Sequence, residues 1–386
     1  MVELRMRKPC RNLRLRLSLV GSEMCIRDRR YTIPLTGGGW SLWLDKEASW
    51  QNDRLYLPHE ITDLSLLPVN VPTGGWQTLS HNPDAVPVEV PGTVEEYLTV
   101  TDNPRPENFR GVSWWYRKIT IPADQQKKRF IIYFESVRMR AEVYLDGKLV
   151  AYDLIGETPF HVDITDEAKP GKEQLLAIRV TNPGGNFHWQ DFDIMKWGEY
   201  NIPPSRSFTG IIGRVKLESV NPVFISDIYM QNTPELTKVN AILSFTNETS
   251  SSVKQDVELI VNEKGNPDKV VFRQTLKAIS FPAGNHEVTI PVNVPDAKLW
   301  DLSTPELYTC NVLIKKGKKT LDQDKKDFGF RWFTVDGVGK DAVLRLNGRR
   351  IMLRSAISWG YFPVTGLIAT TEMAEKQVRT AKSLGL

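Results

Sequence analysis

Cysteine is close to absent from this chain of 386 residues: there are three, and Cys10 and Cys25 fall within the first 30 positions. That excludes a disulfide framework and leaves Cys310 alone in the alternating stretch Leu307 to Val312, where a lone thiol reads as a small core residue. It says nothing for or against export, because domains this long can build a core without disulfides. The five histidines, His59, His81, His161, His188 and His286, show no metal-ligand spacing, and neither metal nor other cofactor is expected. There is no Gly-x-Ser-x-Gly elbow and no phosphate loop. No apolar run approaches the roughly 18 residues that span a bilayer, so no membrane span is expected. A basic surplus is also missing once the charge is located. The formal net charge is +4, yet residues 1–30 carry nine Lys or Arg against three Asp or Glu, a balance of +6, which leaves −2 for the other 356 residues. The folded part lacks the electrostatic footprint of a nucleic-acid binder, and no nucleic-acid partner is expected.

Residues 1–30 stand apart. They are Arg-rich, lack the apolar core of a secretory signal and follow no strand or helix period. The segment from Leu17 to Arg29 resembles a translated sequencing adapter, so the arm is expected to be non-native or disordered; the alternative is a basic arm for anionic surfaces. With the natural start obscured, localisation rests on weak grounds that favour the periplasm or the exterior.

What the chain does have is strand signal. From Tyr31 to about Val112 it is rich in Pro, Gly and Trp without a sustained period, which predicts short strands and long loops draped on a sandwich. Between Trp114 and Val180, short apolar-alternating runs follow one another: Tyr116 to Ile121, Arg129 to Phe134, Ala141 to Leu145, Lys148 to Ala151 after an Asp146-Gly147 turn, Phe160 to Ile164 and Leu175 to Val180. Such spacing predicts a two-sheet sandwich. After Asn221-Pro222 a second series begins (Val223 to Met230, Val239 to Thr246, Val253 to Val261, His286 to Val294, Leu307 to Ile314) and predicts an immunoglobulin-like sandwich. Gly265-Asn266-Pro267 and the run Lys315 to Lys319 read as turn and hairpin tip. Trp114 and Trp115, being adjacent, point to opposite faces of a sheet, and at most one of them is expected in the core.

Beyond Asp327 the pattern changes. Leu344 and Leu346 alternate, Asn347-Gly348 suits a tight hairpin, and Ile351-Met352-Leu353 reads as a short buried strand. A helix follows, capped by Thr370 or Thr371, with Ala374, Val378, Ala381 and Leu384 on one face and Gly385 to stop it. One strand-loop-helix unit cannot bury itself, so chain beyond Leu386 is expected.

Several of these segments, in order, resemble glycoside hydrolase family 2, the family of bacterial beta-galactosidases, beta-glucuronidases and beta-mannosidases. They are Val90-Pro91-Gly92-Thr93, Trp115 to Lys118, Ala141 to Lys148, Thr158-Pro159-Phe160, Asp163 to Asp166, Gly210 to Val215, Leu299-Trp300-Asp301 with Pro305 to Tyr308, and Phe328 to Arg331 followed by Leu346 to Arg349 and Leu353-Arg354. The resemblance covers roughly residues 85–386 and implies a mainly β protein. Its expected parts are a jelly-roll-like sugar-binding domain over 31–220, an immunoglobulin-like sandwich over 221–332 and the truncated start of a (β/α)8 barrel over 333–386. It also implies a retaining glycosidase whose two carboxyl groups stand about 5 Å apart on later barrel strands. No catalytic residue is then expected in this chain. The alternative is a carbohydrate-binding or adhesion protein made of sandwiches, without catalysis.

Two segments look site-like. From Thr181 to Asp193 aromatics are interleaved with amide and carboxylate groups, the mixture that packs sugar C–H faces and fixes hydroxyls. Trp189 and Asp191 are the candidates there, and Asn182 matches a family position whose loop reaches the barrel pocket. The plain alternative is a sandwich loop whose Trp189 and Phe192 pack locally. The second segment holds Arg354, Trp359 and Tyr361, just after the first barrel strand, on the rim where barrel sites are built. Galactosidase-like members carry an Asn and a His-Glu pair where this chain has Ile357 to Tyr361, which puts galactosidase specificity in doubt; Trp359 and Tyr361 could equally plug the barrel mouth. The expected partner is an oligosaccharide or glycoside, and the two loops are expected to share one pocket.

Overall fold

A computed structural model describes residues 30–50, 63–98, 109, 111–154, 156, 158–182, 195–197, 200–202, 208–356 and 371–386. The first sandwich packs a six-stranded antiparallel sheet on a four-stranded one. The larger runs in the spatial order Val86–Val90, Gly37–Asp45, Gly111–Thr120, Glu173–Asn182, Arg140–Leu145, Lys148–Asp153. The smaller runs Tyr31–Pro34, Val215–Val220, Arg129–Phe134, Phe160–Asp163. Alternate residues of the facing strands, among them Trp115, Val143, Ile178, Val180, Ile132 and Leu217, fill the space between the sheets. The Asp146-Gly147 turn has the paired positive φ angles, 48° and 84°, that match the twist of a two-residue hairpin.

Three expectations need correction here. Gly37–Asp45 is not draped on the sandwich; it lies inside the six-stranded sheet between Val86–Val90 and Gly111–Thr120. Trp114 and Trp115 do point to opposite faces, but both are fully buried. Trp115 enters the core between the sheets, whereas Trp114 joins Leu67, Leu79, Tyr144 and Ala177 in a second apolar layer. Residues 64–85 supply much of that layer's cover, so the sheet has an inside on both faces. Finally, Ile351-Met352-Leu353 is neither a strand nor buried: Met352 and Leu353 are 70% and 60% exposed.

The second sandwich faces a three-stranded sheet (Val223–Asn232, Lys238–Asn247, Gly284–Asn293) against a four-stranded one (Val270–Phe281, Val253–Glu263, Tyr308–Lys316, Lys319–Phe328). Lys238–Asn247 alternates strictly between buried and half-buried residues, as a strand with one face in a core must. Cys310 is buried there, and desolvation pushes its thiol up to about 12. The two sandwiches are tied by Arg30. Its guanidinium donates to both oxygens of Asp322 (3.2 and 3.1 Å), to Glu218 (3.3 Å), to Asp324 (3.2 Å) and to the Ile225 carbonyl. The rest of the expected arm lies outside the described residues. Asp322 is fully buried and also accepts the Ile225 N–H at 2.8 Å.

A small antiparallel sheet follows: Phe333–Asp336, Val343–Leu346 and Arg349–Arg350. Asn347 turns it at φ 51° and fastens it to the second sandwich, since its amide donates to the Trp300 carbonyl (3.0 Å) and its side-chain oxygen accepts the Trp332 N–H (2.9 Å). The helix Thr371–Ser383 ends at Gly385, φ 75°, as its sequence predicts. Val378 and Leu384 on its apolar face are 56% and 71% exposed.

Candidate functional site

Asn182 is the last residue of the strand Glu173–Asn182 and shares the inward face with Ile178 and Val180. It is fully buried, and its amide donates to the Phe109 carbonyl at 2.7 Å. Phe109 in turn donates its N–H to one Glu95 oxygen at 3.1 Å, while the other Glu95 oxygen accepts the Thr209 N–H at 3.2 Å. One carboxylate therefore joins three separate stretches of chain.

The local sequence explains why Glu95 reaches that point. Thr93 caps the single helical turn Val94–Tyr97 by accepting the Glu96 N–H, and Val94, fully buried, anchors the turn while its N–H goes to the Thr209 carbonyl at 2.7 Å. The pair Gly92–Thr93 and Gly210–Ile211 can lie together only because residue 210 has no side chain: a Cβ there would stand 2.2 Å from the Gly92 carbonyl. Arg138, also buried, exchanges backbone hydrogen bonds with Gly210 at 2.8 and 2.7 Å. Glu95 keeps a solvent-facing edge, yet the protein crowded around its carboxyl pushes it up to about 7, against the pull of its N–H donors and of Arg138. The Thr209 hydroxyl, buried beside it, has no partner among the described residues.

A second buried polar cluster lies on the opposite face of the six-stranded sheet. Glu142 takes hydrogen bonds from Arg140, from Arg179 (3.1 Å), from the Asn70 amide (3.0 and 2.9 Å) and from the Tyr144 hydroxyl (2.8 Å). Burial, reinforced by the Glu142 charge, drives the Tyr144 hydroxyl upward. Trp76 sits 5.0 Å from the Tyr144 ring and 5.6 Å from that of Trp114. With Glu142 engaged by four side chains, this cluster locks residues 70–76 to the sheet and presents no reactive group.

Arg354 is exposed, close to Gly385 at the end of the final helix, and is no part of the Glu95 knot. Trp189, Asp191, Trp359 and Tyr361 lie outside the described residues, so the expected meeting of the two loops concerns chain that the structure does not describe. One cleft of about 830 Å3 runs along Asp63, Asp146, Asp163 and Glu167, and another of about 660 Å3 lies between the sandwiches beside Arg30 and Arg273. Neither Asn182 nor Arg354 lines them. Among the described residues no group of three His, Cys, Asp or Glu could hold a metal ion. Sequence reasoning passed over Glu95, Phe109, Thr209 and Arg138. The only available signal was the doubled acid Glu95-Glu96 behind a capping threonine, where one turn of helix must aim the two acids differently.

Comparison with known proteins bears on both sandwiches. Residues 38–202 match the profile described as glycosyl hydrolases family 2, sugar binding domain, and residues 223–331 that of glycosyl hydrolases family 2. A beta-glucuronidase of Formosa agariphila is 26% identical over 267 residues, 66% of this chain and 26% of the relative. A beta-galactosidase of Thermoanaerobacterium thermosulfurigenes is 26% identical over 272 residues, 68% of this chain and 35% of the relative. The structure of Bacteroides uniformis beta-glucuronidase 2, covalently bound to cyclophellitol-6-carboxylate aziridine, superposes with a TM-score of 0.65 at 20% identity, over 92% of this chain and 39% of that one. The chain thus spans between about a quarter and two fifths of the length of these proteins.

Proposed function

The chain belongs to glycosyl hydrolases family 2, and from that premise we propose that residues 1–386 are the non-catalytic, sugar-binding part of a retaining exo-glycosidase. The observation that carries this reading is that the two matches fall one on each sandwich, the sugar-binding profile on the first. The proposed domains are a jelly-roll over 31–220, an immunoglobulin-like sandwich over 221–332 and a barrel entry over 333–386. Retention of configuration takes two carboxyl groups about 5 Å apart, one attacking the anomeric carbon while the other protonates the leaving oxygen. In this reading those groups belong to barrel strands that are not among the strands of this chain. The residues proposed to touch sugar are Asn182, Trp189, Asp191, Arg354, Trp359 and Tyr361. The relatives' names make β-linked glucuronides and galactosides the first substrates to test.

Purified chain 1–386, incubated with chromogenic β-glucuronides, β-galactosides and β-mannosides, is expected to release chromophore only at background rate. Turnover that disappears on substituting a residue of this chain overturns the assignment.

A further inference from the structure

The cleft of about 660 Å3 between the sandwiches has the outer face of the four-stranded sheet as its floor, and Thr32, Lys216 and Glu218 of the first sandwich form its wall. Four side chains stand abreast across that floor, because strand register pairs Arg273 with Ile260, Ile260 with Asn311 and Asn311 with Lys325. Directly opposite residues share a face of the sheet. Arg273 and Lys325 thus end a row three strand spacings wide, about 14 Å between backbones. We propose that this cleft binds an acidic saccharide, a short chain of sugars bearing carboxylates, with Arg273, Lys325 and Lys216 meeting the carboxylates and the floor between them meeting the rings. The choice of a saccharide rests on the reading of the chain as the sugar-binding part of a glycosidase.

The layering of charge favours an anion. Glu258 binds Arg273 at 2.7 Å and Lys315 at 2.8 Å, and its side chain is 9% exposed where that of Arg273 is 55% exposed. On the wall the Glu218 side chain is 11% exposed, whereas that of Lys216, 2.9 Å from it, is 40% exposed. Asp324, a half-buried acid that lines the cleft, is answered by Arg30 at 3.2 Å. The cations therefore stand outermost. Between Arg273 and Lys325, Ile260 and, one row on, Leu313 offer aliphatic surface to sugar C–H groups. The Asn311 amide donates to the Asn262 side chain at 3.1 Å, which leaves its side-chain oxygen for a hydroxyl, and Gln323, opposite Leu313, has no side-chain partner among the described residues. No aromatic ring is among the described residues that line the cleft, so a neutral sugar lacks a stacking platform there, and so does a nucleobase. A ligand that binds in it must draw on its own charge.

Calorimetric and amide NMR titrations of the full chain with a linear oligoglucuronate, and with a neutral cello-oligosaccharide of equal length, test this. The oligoglucuronate is expected to bind, to shift the amides of Ile260, Arg273, Asn311 and Lys325 together, and to weaken as salt is raised. The neutral oligosaccharide is expected to leave those amides unmoved. Lys325→Ala and Arg273→Gln, each removing one charged contact, should lower the affinity roughly tenfold apiece while the melting transition stays cooperative. Lys325 is exposed, so its variant decides the matter if Arg273→Gln does not fold. Equal binding of the neutral oligosaccharide, or unchanged affinity in either folded variant, overturns the proposal. So does inorganic sulfate, a polyglutamate peptide or single-stranded DNA that binds as tightly as the oligoglucuronate at equal charge concentration, since the cleft is then a general anion surface. If no saccharide binds, the assignment of the cleft falls, whereas the non-catalytic reading of the chain is decided separately by the turnover assay.

Discussion

Removing the Arg30 side chain puts the junction between the sandwiches to a quantitative test. Arg30 grips Asp322 with two hydrogen bonds and reaches Glu218, Asp324 and the Ile225 carbonyl, so one guanidinium neutralises carboxylates from both sandwiches. Asp322 has no exposed surface. Desolvation already holds its carboxyl above the usual range, although Arg30 and the Ile225 N–H pull the other way. Arg30→Ala therefore strands a buried charge, and breaking one partner out of such a pair costs about 3–5 kcal/mol. The carboxyl can limit the loss by taking a proton. A carboxyl whose folded pKa lies above its unfolded value binds more protons when folded, so stability falls as pH rises through that window. The deficit of Arg30→Ala should accordingly be larger at pH 8 than at pH 5. Urea unfolding followed by tryptophan fluorescence at both pH values measures it. Asp322→Asn, which keeps an acceptor for Ile225, should restore roughly 1–3 kcal/mol when added to Arg30→Ala. A deficit under about 1 kcal/mol, or two substitutions that simply add, would refute the account and reduce Arg30 to a surface contact.

The Glu95 carboxyl, pushed up to about 7 by burial against an ordinary 4.5, makes the folded chain bind the extra proton between those values; stability should fall by on the order of 2–3 kcal/mol from pH 4.5 to 7 and level off above, a slope that Glu95→Gln abolishes in a pH series of melting curves. Gly210→Ala places a methyl against the Gly92 carbonyl and the Trp115 ring and should cost about 1–3 kcal/mol or more, read as a lowered melting temperature. Backbone amides in 343–386 should exchange faster than those in 129–180, since Leu353, Val378 and Leu384 are exposed whereas Ile132, Val143 and Ile178 are fully buried; equal protection would show that the C-terminal segment is self-sufficient.

Much of the fold was legible because most core strands obey the period of two. Arg129–Phe134 has the bounds its sequence predicts, and ten other strands start or end within a few residues of expectation. The failures have separate causes. Val270–Phe281 had no place in the expected series because as an outer strand it leaves every residue but Phe281 half-buried or exposed, so its apolar positions are diluted by charge. Gly37–Asp45 opens on three glycines, which read as loop, yet pairing on both sides holds it in the sheet. Alternation also assumes one wet face. Gly111–Thr120 begins with six consecutive buried residues, and only a sheet covered on both sides makes room for Trp114 as well as Trp115.

The candidate site was less legible, for a reason that Asn182 and Glu95 make concrete. A reading of sequence ranks polar residues by what they could offer a ligand, and Asn182, at the end of a strand and before an aromatic-rich segment, ranks high on that scale. In the folded chain it is fully buried and donates its amide to the Phe109 carbonyl. Glu95 ranks low, as one of two acids in a short turn, yet its carboxylate connects backbone groups 14 and 114 residues further along the chain. Such a role depends on where the N–H groups of Phe109 and Thr209 arrive after folding, and no spacing in the sequence encodes that.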